Sequence, residues 1–168
     1  QVTPAGQNCI IVYGGTNQQI TPEYIDSVLE QFSPGDLLLA QNETSSTAYA
    51  IEKAHSLGLK IAFNPSPITP DIFSYPLNLV DYFFFFFLEG NALADIDSTD
   101  FNVILNALHQ RFPKAHIVLT VGSQGVYYKN DAQTLKHGTY SVPVVDTTAA
   151  GDTFSGFFLA SIAKGHSE

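Results

Sequence analysis

Apolar residues fall along this chain in short unbroken runs, separated by longer stretches in which they recur every three or four positions. The runs are Asn8 to Tyr13 (NCIIVY), Asp36 to Ala40 (DLLLA), Leu59 to Phe63 (LKIAF) and His116 to Val121 (HIVLTV). Each has the length and continuity of a strand buried on both faces. Gly125 to Lys129 and Thr139 to Val145 read as two further strands. The intervening stretches read as helices. Thr21-Pro22-Glu23 is a helix start, with a hydroxyl cap, a proline at the first helical position and an acid in the first turn; that helix runs to about Phe32, where Ser33-Pro34-Gly35 breaks it. Thr44 to Leu57 carries Ala48, Ile51, Ala54 and Leu57 on one face and ends at Gly58. Thr99 to Phe112 carries Phe101, Ile104, Leu105, Leu108 and Phe112 at helical spacing, and Gly151 to Lys164 carries Phe154, Phe157, Phe158 and Ile162.

Apolar strands alternating with amphipathic helices predict an α/β fold: a mostly parallel sheet with helices on both faces. Neither an internal repeat nor a linker interrupts it. In such folds ligands sit beyond the carboxyl ends of the strands. That rule points to Gln41-Asn42-Glu43, Asn64-Pro65, Gly122-Ser123 and the turn from Asp146 to Asp152.

Composition narrows the reading. The chain has 168 residues, 45% of them apolar, enough for one domain or the larger part of one. Its formal net charge of -9 makes nucleic acid a poor partner and requires any polyphosphate site to use local donors. The single cysteine, Cys9, allows no disulfide within the chain and suits a reducing cytoplasm. No apolar run is long enough to span a membrane. The start, Gln1-Val2-Thr3-Pro4, is not a signal peptide and has no initiator methionine, so the chain is expected to be cut from a longer protein and incomplete at both ends. The five histidines show no metal-binding spacing and are read as structural or surface residues.

The most informative stretch is Asp146-Thr147-Thr148-Ala149-Ala150-Gly151-Asp152-Thr153-Phe154-Ser155-Gly156. Small residues let backbone pass close to a ligand, and the unpaired N–H groups of a starting helix make an anion hole. A carboxylate beside such a hole suits phosphoryl transfer: the hole steadies the phosphoryl charge and the acid takes a proton from an attacking hydroxyl. A lone Gly-Asp would more often be only a dipole partner. The full string, however, resembles the signature of the ribokinase-like (PfkB) carbohydrate kinases: Asp-Thr, a small Ala/Gly turn, then Gly-Asp-Thr-Phe.

The resemblance covers nearly the whole chain, including LLLAQNET and IAFNPSP between Leu37 and Pro67. It implies that Asp152 is the catalytic base and that Ala150, Gly151 and Asp152 form the anion hole. Glu43 would bind sugar hydroxyls; on its own it reads as an exposed loop acid. Thr120-Val121-Gly122-Ser123-Gln124-Gly125 falls on the family's Thr-x-Gly-x-x-Gly nucleotide loop, with Thr120, Gly122, Ser123 and Gly125 as binding positions. Without the family that glycine pair is as easily a hairpin turn. Asp146 and the Thr148 carbonyl match a monovalent-cation site. The cofactors implied are ATP, magnesium and potassium, and the substrate D-ribose or another sugar or nucleoside.

Two departures from the pattern are visible. The region carrying the early glycine-rich sugar motif and most of the substrate lid is missing, so the chain alone is expected to be inactive. In Asp81-Tyr82-Phe83-Phe84-Phe85-Phe86-Phe87-Leu88-Glu89, the family's Asn-x-x-Glu would place Glu89 near magnesium through water, but Phe86 stands at the asparagine position and offers no oxygen. Five successive rings are also hard to pack on both faces of one strand. The competing expectation is a non-catalytic protein of the same fold that binds sugar or nucleotide. A homodimer of the full-length protein is left open.

Overall fold

The computed structural model describes residues 11–167. They form two compact units: one is Gly14–Thr139, and the other holds residues 140–167 with residues 11–13.

The larger unit is built on a six-stranded sheet in the order β1-β2-β3-β4-β5-β6. These are β1 (Leu37–Gln41), β2 (Lys60–Asn64), β3 (Tyr82–Phe86), β4 (His116–Thr120), β5 (Val126–Lys129) and β6 (Thr134–His137). The first four run parallel, and β5 and β6 add antiparallel at one edge. Four helices accompany them: α1 (Pro22–Leu29), α2 (Thr47–Ser56), α3 (Phe87–Ala94) and α4 (Phe101–Arg111). This mostly parallel sheet with its helices is the α/β fold that the hydrophobic pattern predicts.

Local chemistry sets the helix starts. Thr21 caps α1, its hydroxyl oxygen accepting from the Tyr24 N–H at 3.2 Å, with Pro22 at the first position. Asp100 caps α4 by accepting from the Asn102 N–H at 2.8 Å. The core joins Ile25 and Leu29 of α1, Ile51 and Ala54 of α2, Leu93 of α3, and Ile104, Leu105 and Leu108 of α4. These pack on the sheet face that carries Ile61, Phe63, Phe83, Phe85, Ile117 and Leu119. Alternation puts Ala62, Phe84 and Val118 on the opposite face, also buried.

The phenylalanine run is accommodated because only part of it is strand. Phe83 and Phe85 point to the helix side with their rings stacked 5.1 Å apart, and Phe84 fills the other face. Phe86 ends β3, and Phe87 opens α3. The packing conflict expected for five rings on one pleat therefore does not arise: the chain turns into a helix after the fourth.

Other details differ from the sequence pattern. β1, read as buried on both faces, is partly exposed, with Leu37 36% and Leu39 47% exposed. Thr139 to Val145 is irregular rather than a strand; Pro143 there has no N–H to give a ladder. The strand at this edge is instead β6, whose residues are all exposed and carry no hydrophobic signal. A tight turn creates it: the Asn130 side-chain oxygen accepts from the N–H groups of Ala132 and Gln133, both at 2.9 Å. The strand expected at Asn8 to Tyr13 lies mostly outside the described residues, and 11–13 are irregular.

The smaller unit is dominated by α5 (Ala150–Ala163). Its buried positions are Ser155 and Leu159, while Phe157, expected on the apolar face, is 75% exposed. Among the described residues no helix is long and apolar enough to cross a membrane.

Candidate active site

Parallel strands end together, so the larger unit gathers several of the sequence-selected residues at one edge of its sheet. Gln41 is in register with Asn64, and Phe86 with Thr120. The segments that follow these residues carry Glu43, Pro65 to Pro67, Glu89 and the Gly122–Gln124 turn. Glu43 is exposed, and among the described residues its carboxylate makes no hydrogen bond or ion pair. Hydrogen bonds hold the turn around it. Its backbone oxygen accepts from Gln18 Nε2 at 3.0 Å, and Ser45 Oγ donates to the Ile20 carbonyl at 2.7 Å. Ser46, in the left-handed region at φ 60°, then opens α2.

Thr120 to Gly125 is the hairpin loop between β4 and β5. Val121 N–H donates to the Gly125 carbonyl at 2.9 Å, and Gly125 N–H to the Gly122 carbonyl at 3.1 Å. A side chain at Gly125 would meet the His137 carbonyl oxygen at 2.0 Å, so only glycine fits. Gly122 also has positive φ, 60°, but nothing within 4 Å of where a side chain would begin, so this face of the loop is open to a ligand. Ser123 is exposed. Thr120 is turned inward, its hydroxyl donating to the Phe85 carbonyl at 3.1 Å, which makes its visible role structural.

In the smaller unit, Asp146 to Asp152 forms the turn that opens α5. Asp146 Oδ1 accepts from Thr148 N–H at 2.9 Å and from the Thr148 hydroxyl at 2.8 Å. The Thr148 N–H, then its hydroxyl, hold the Asp146 carboxyl below the usual carboxylate range, so it stays ionised. Ala149 sits at φ 59°, ψ 15° as the residue that caps α5. A left-handed non-glycine residue is strained, and alanine has the smallest side chain of those that bear the strain. Ala150, Gly151 and Asp152 follow as the first turn, all exposed, with Asp152 its acidic residue.

A match over residues 1–167 to the model of the pfkB family carbohydrate kinases decides what this arrangement belongs to. The chain is a pfkB-family carbohydrate kinase sequence. Ribokinase of Staphylococcus aureus (strain COL) is 31% identical over 169 residues, covering 97% of this chain and 55% of that protein. Ribokinase of Schizosaccharomyces pombe is 31% identical over 177 residues, 98% of this chain and 54% of its own length. The crystal structure of ribokinase from Thermotoga maritima is similar at a TM-score of 0.76 and 30% identity, over 98% of this chain and 55% of that one. The chain thus spans about half the length of the curated relatives it matches.

The metals that the family implies fare differently against these residues. Asp146 and the Thr148 carbonyl are oxygen donors on one turn, the donor type that hard cations take, and they fit a monovalent cation. The magnesium position does not fit. The Phe86 side chain has no oxygen, and the Glu89 carboxylate accepts from the Phe86 N–H at 2.7 Å, capping α3. Among the described residues no group of three or more His, Cys, Asp and Glu gathers to hold a metal.

The sequence reading missed two features beside Glu43: the burial of Asn42 and its bond from Tyr75. Asn42 is one of three buried polar residues among those described, and Tyr75 donates to it. Asn42 stood in a flagged strand end, but an asparagine in a turn carries no sign of burial. Tyr75 lies in a stretch with no periodic pattern, so nothing marked it.

Proposed function

We propose that the complete protein transfers the γ-phosphate of ATP to a primary hydroxyl of a pentose, with D-ribose the first candidate. The single observation that carries the reading is the Asp146–Asp152 turn, where a strained small residue sets the exposed start of α5 beside a carboxylate. In this reading Asp152 takes the proton of the attacking hydroxyl, and the N–H groups of Ala150, Gly151 and Asp152 stabilise the phosphoryl charge. Gly122, Ser123 and Gly125 offer backbone to the nucleotide phosphates, with Thr120 fixing the start of the loop. Glu43 accepts hydrogen bonds from sugar hydroxyls.

A monovalent cation, potassium by its chemistry, would be held by Asp146 and the Thr148 carbonyl and would neutralise charge near the anion hole. Kinship to relatives named ribokinase supports the sugar, and family membership supports ATP. The single cysteine favours a cytoplasmic enzyme. The chain represents the nucleotide-binding and catalytic part, and by itself it is inactive in this reading, because positioning supplies roughly 7–11 kcal/mol of barrier lowering that half an enzyme cannot provide.

Phe86 favours a second reading, a binding protein of the same fold without turnover. The intact Asp152 turn opposes it, because a sensor has no need of a base. An assay of the full-length protein with ATP and D-ribose, 2-deoxyribose or a nucleoside separates them. Ribose-dependent ADP release supports the first reading; saturable sugar binding without ADP release on any acceptor establishes the second.

A further inference from the structure

We propose that Asn42 is a positioning residue that sets sugar affinity by fixing the turn that carries Glu43. The proposal rests on the reading of Glu43 as the sugar-binding carboxylate. Asn42 directly follows β1 and is 8% exposed. Its side-chain amide donates to the Pro67 carbonyl at 2.7 Å and to Thr69 Oγ1 at 3.1 Å. Its side-chain oxygen accepts from the Tyr75 hydroxyl at 2.9 Å. Its backbone N–H donates to the Ser66 carbonyl at 3.1 Å.

One buried side chain thereby joins three segments: the end of β1, the loop after β2 and the stretch that ends in Tyr75. The Tyr75 ring in turn packs 6.4 Å from Phe63 of β2. Both amide hydrogens and the carbonyl oxygen are engaged, so the group has one orientation, and it passes that orientation to the next peptide. Glu43 is that next residue, with its backbone pinned from the other side by Gln18. The carboxylate is left exposed while its backbone is fixed, which is how a side chain is preorganised for a ligand. Burial alone does not require this arrangement. An apolar residue of the same shape would pack at this position with no polar partner to satisfy, but it would leave the Pro67 carbonyl and Tyr75 hydroxyl without their partner.

The test is steady-state kinetics on the full-length protein carrying Asn42→Leu, Tyr75→Phe, Glu43→Ala and the Asn42→Leu/Glu43→Ala pair. Asn42→Leu should raise the sugar KM about tenfold while kcat and the ATP KM stay within about twofold. Tyr75→Phe, which removes one hydroxyl and preserves the ring packing, should move the sugar KM in the same direction by less. In the double variant the sugar KM should be no higher than with Glu43→Ala alone. An unchanged sugar KM in Asn42→Leu overturns the proposal whatever Tyr75→Phe does, as do multiplicative effects in the double variant. If Glu43→Ala itself leaves the sugar KM unchanged, the Glu43 reading falls and this inference with it. A raised KM in Glu43→Ala with none in Asn42→Leu removes the inference alone.

Discussion

Two turns in this protein enter their helices in nearly the same way. Ser46 before α2 and Ala149 before α5 both cap a helix from the left-handed region, at φ 60° and 59°. Their surroundings differ. The Ser46 turn is filled by side-chain bonds: Ser45 and Ser46 hydroxyls both donate to the Ile20 carbonyl, and Thr47 donates to the Thr44 carbonyl. The Ala149 turn has a single clasp, Asp146 Oδ1 accepting from the Thr148 N–H and hydroxyl, followed by small residues, and its first helical residues are exposed. Both turns are held by polar side chains; the second also leaves the backbone at its helix start exposed. A turn that carries the exposed Glu43 and a turn that opens onto an exposed helix start are thus built from the same backbone step.

The largest expected effects follow from exchanging these roles. Asp152→Asn should lower kcat of the full-length enzyme by ~10²–10⁴-fold and leave ATP binding intact, since a lost general base is worth about that much. Glu43→Ala should act mainly on the sugar KM. Turnover of Asp152→Asn near that of the wild type would remove the base assignment. A kcat loss from Glu43→Ala as large as that from Asp152→Asn would abolish the contrast between the turns.

Backbone strain offers the next test. Ala149 already carries the left-handed penalty of a Cβ, about 1–2 kcal/mol relative to glycine, and a β-branched residue adds to it, so Ala149→Val should lower stability further and drop activity with it. Ala149→Gly should fold at least as well as wild type, because glycine holds this conformation without strain. Denaturant unfolding with a parallel activity assay measures both. Equal stability of the valine and glycine variants would mean that the turn relaxes out of the left-handed region, and the likeness to Ser46 would be lost.

These expectations also show what the sequence could carry. The parallel strands were legible because they form short, nearly continuous apolar runs such as His116 to Val121, α1 because Thr21-Pro22-Glu23 marks its start, and α4 because Phe101, Ile104, Leu105 and Leu108 recur at helical spacing. Motif residues made the Asp146–Asp152 turn visible. Three things were hidden. The start of α3 lies inside an apolar run whose composition fits strand and helix alike. β6 is specified by the side chain of Asn130, not by hydrophobicity. The Asn42 clamp depends on partners 25 and 33 residues away, and spacing does not encode such contacts.

The cap of α3 gives a smaller effect. Glu89 already accepts from the Phe86 N–H, which is half of a capping box; phenylalanine has no oxygen to return the bond. Phe86→Asn should add about 1 kcal/mol of stability by completing the box, and it should also strengthen the response of turnover to magnesium. Thermal unfolding and a magnesium titration of the two full-length forms read the two consequences separately. Higher stability with identical magnesium curves would show that Glu89 works as a cap and that the metal is bound without this position.

The smallest effect concerns charge in the Ala149 turn. Asp146 is held ionised chiefly by the Thr148 N–H, then by the Thr148 hydroxyl. A carboxyl whose folded pKa lies below its unfolded value contributes stability above the unfolded pKa and loses it as pH falls through the folded one. The contribution of Asp146 should therefore be constant through neutral pH and fade only below the ordinary aspartate range. Thr148→Val keeps the N–H and removes the hydroxyl, so the Asp146 titration should move part of the way back toward that range. Carbon-detected NMR titration of the side-chain carboxyl in the wild type and this variant measures the shift directly. An Asp146 titration unmoved by Thr148→Val would mean that the hydroxyl bond is absent in solution, and the two turns would then differ less in how they hold their carboxylates than the structure shows.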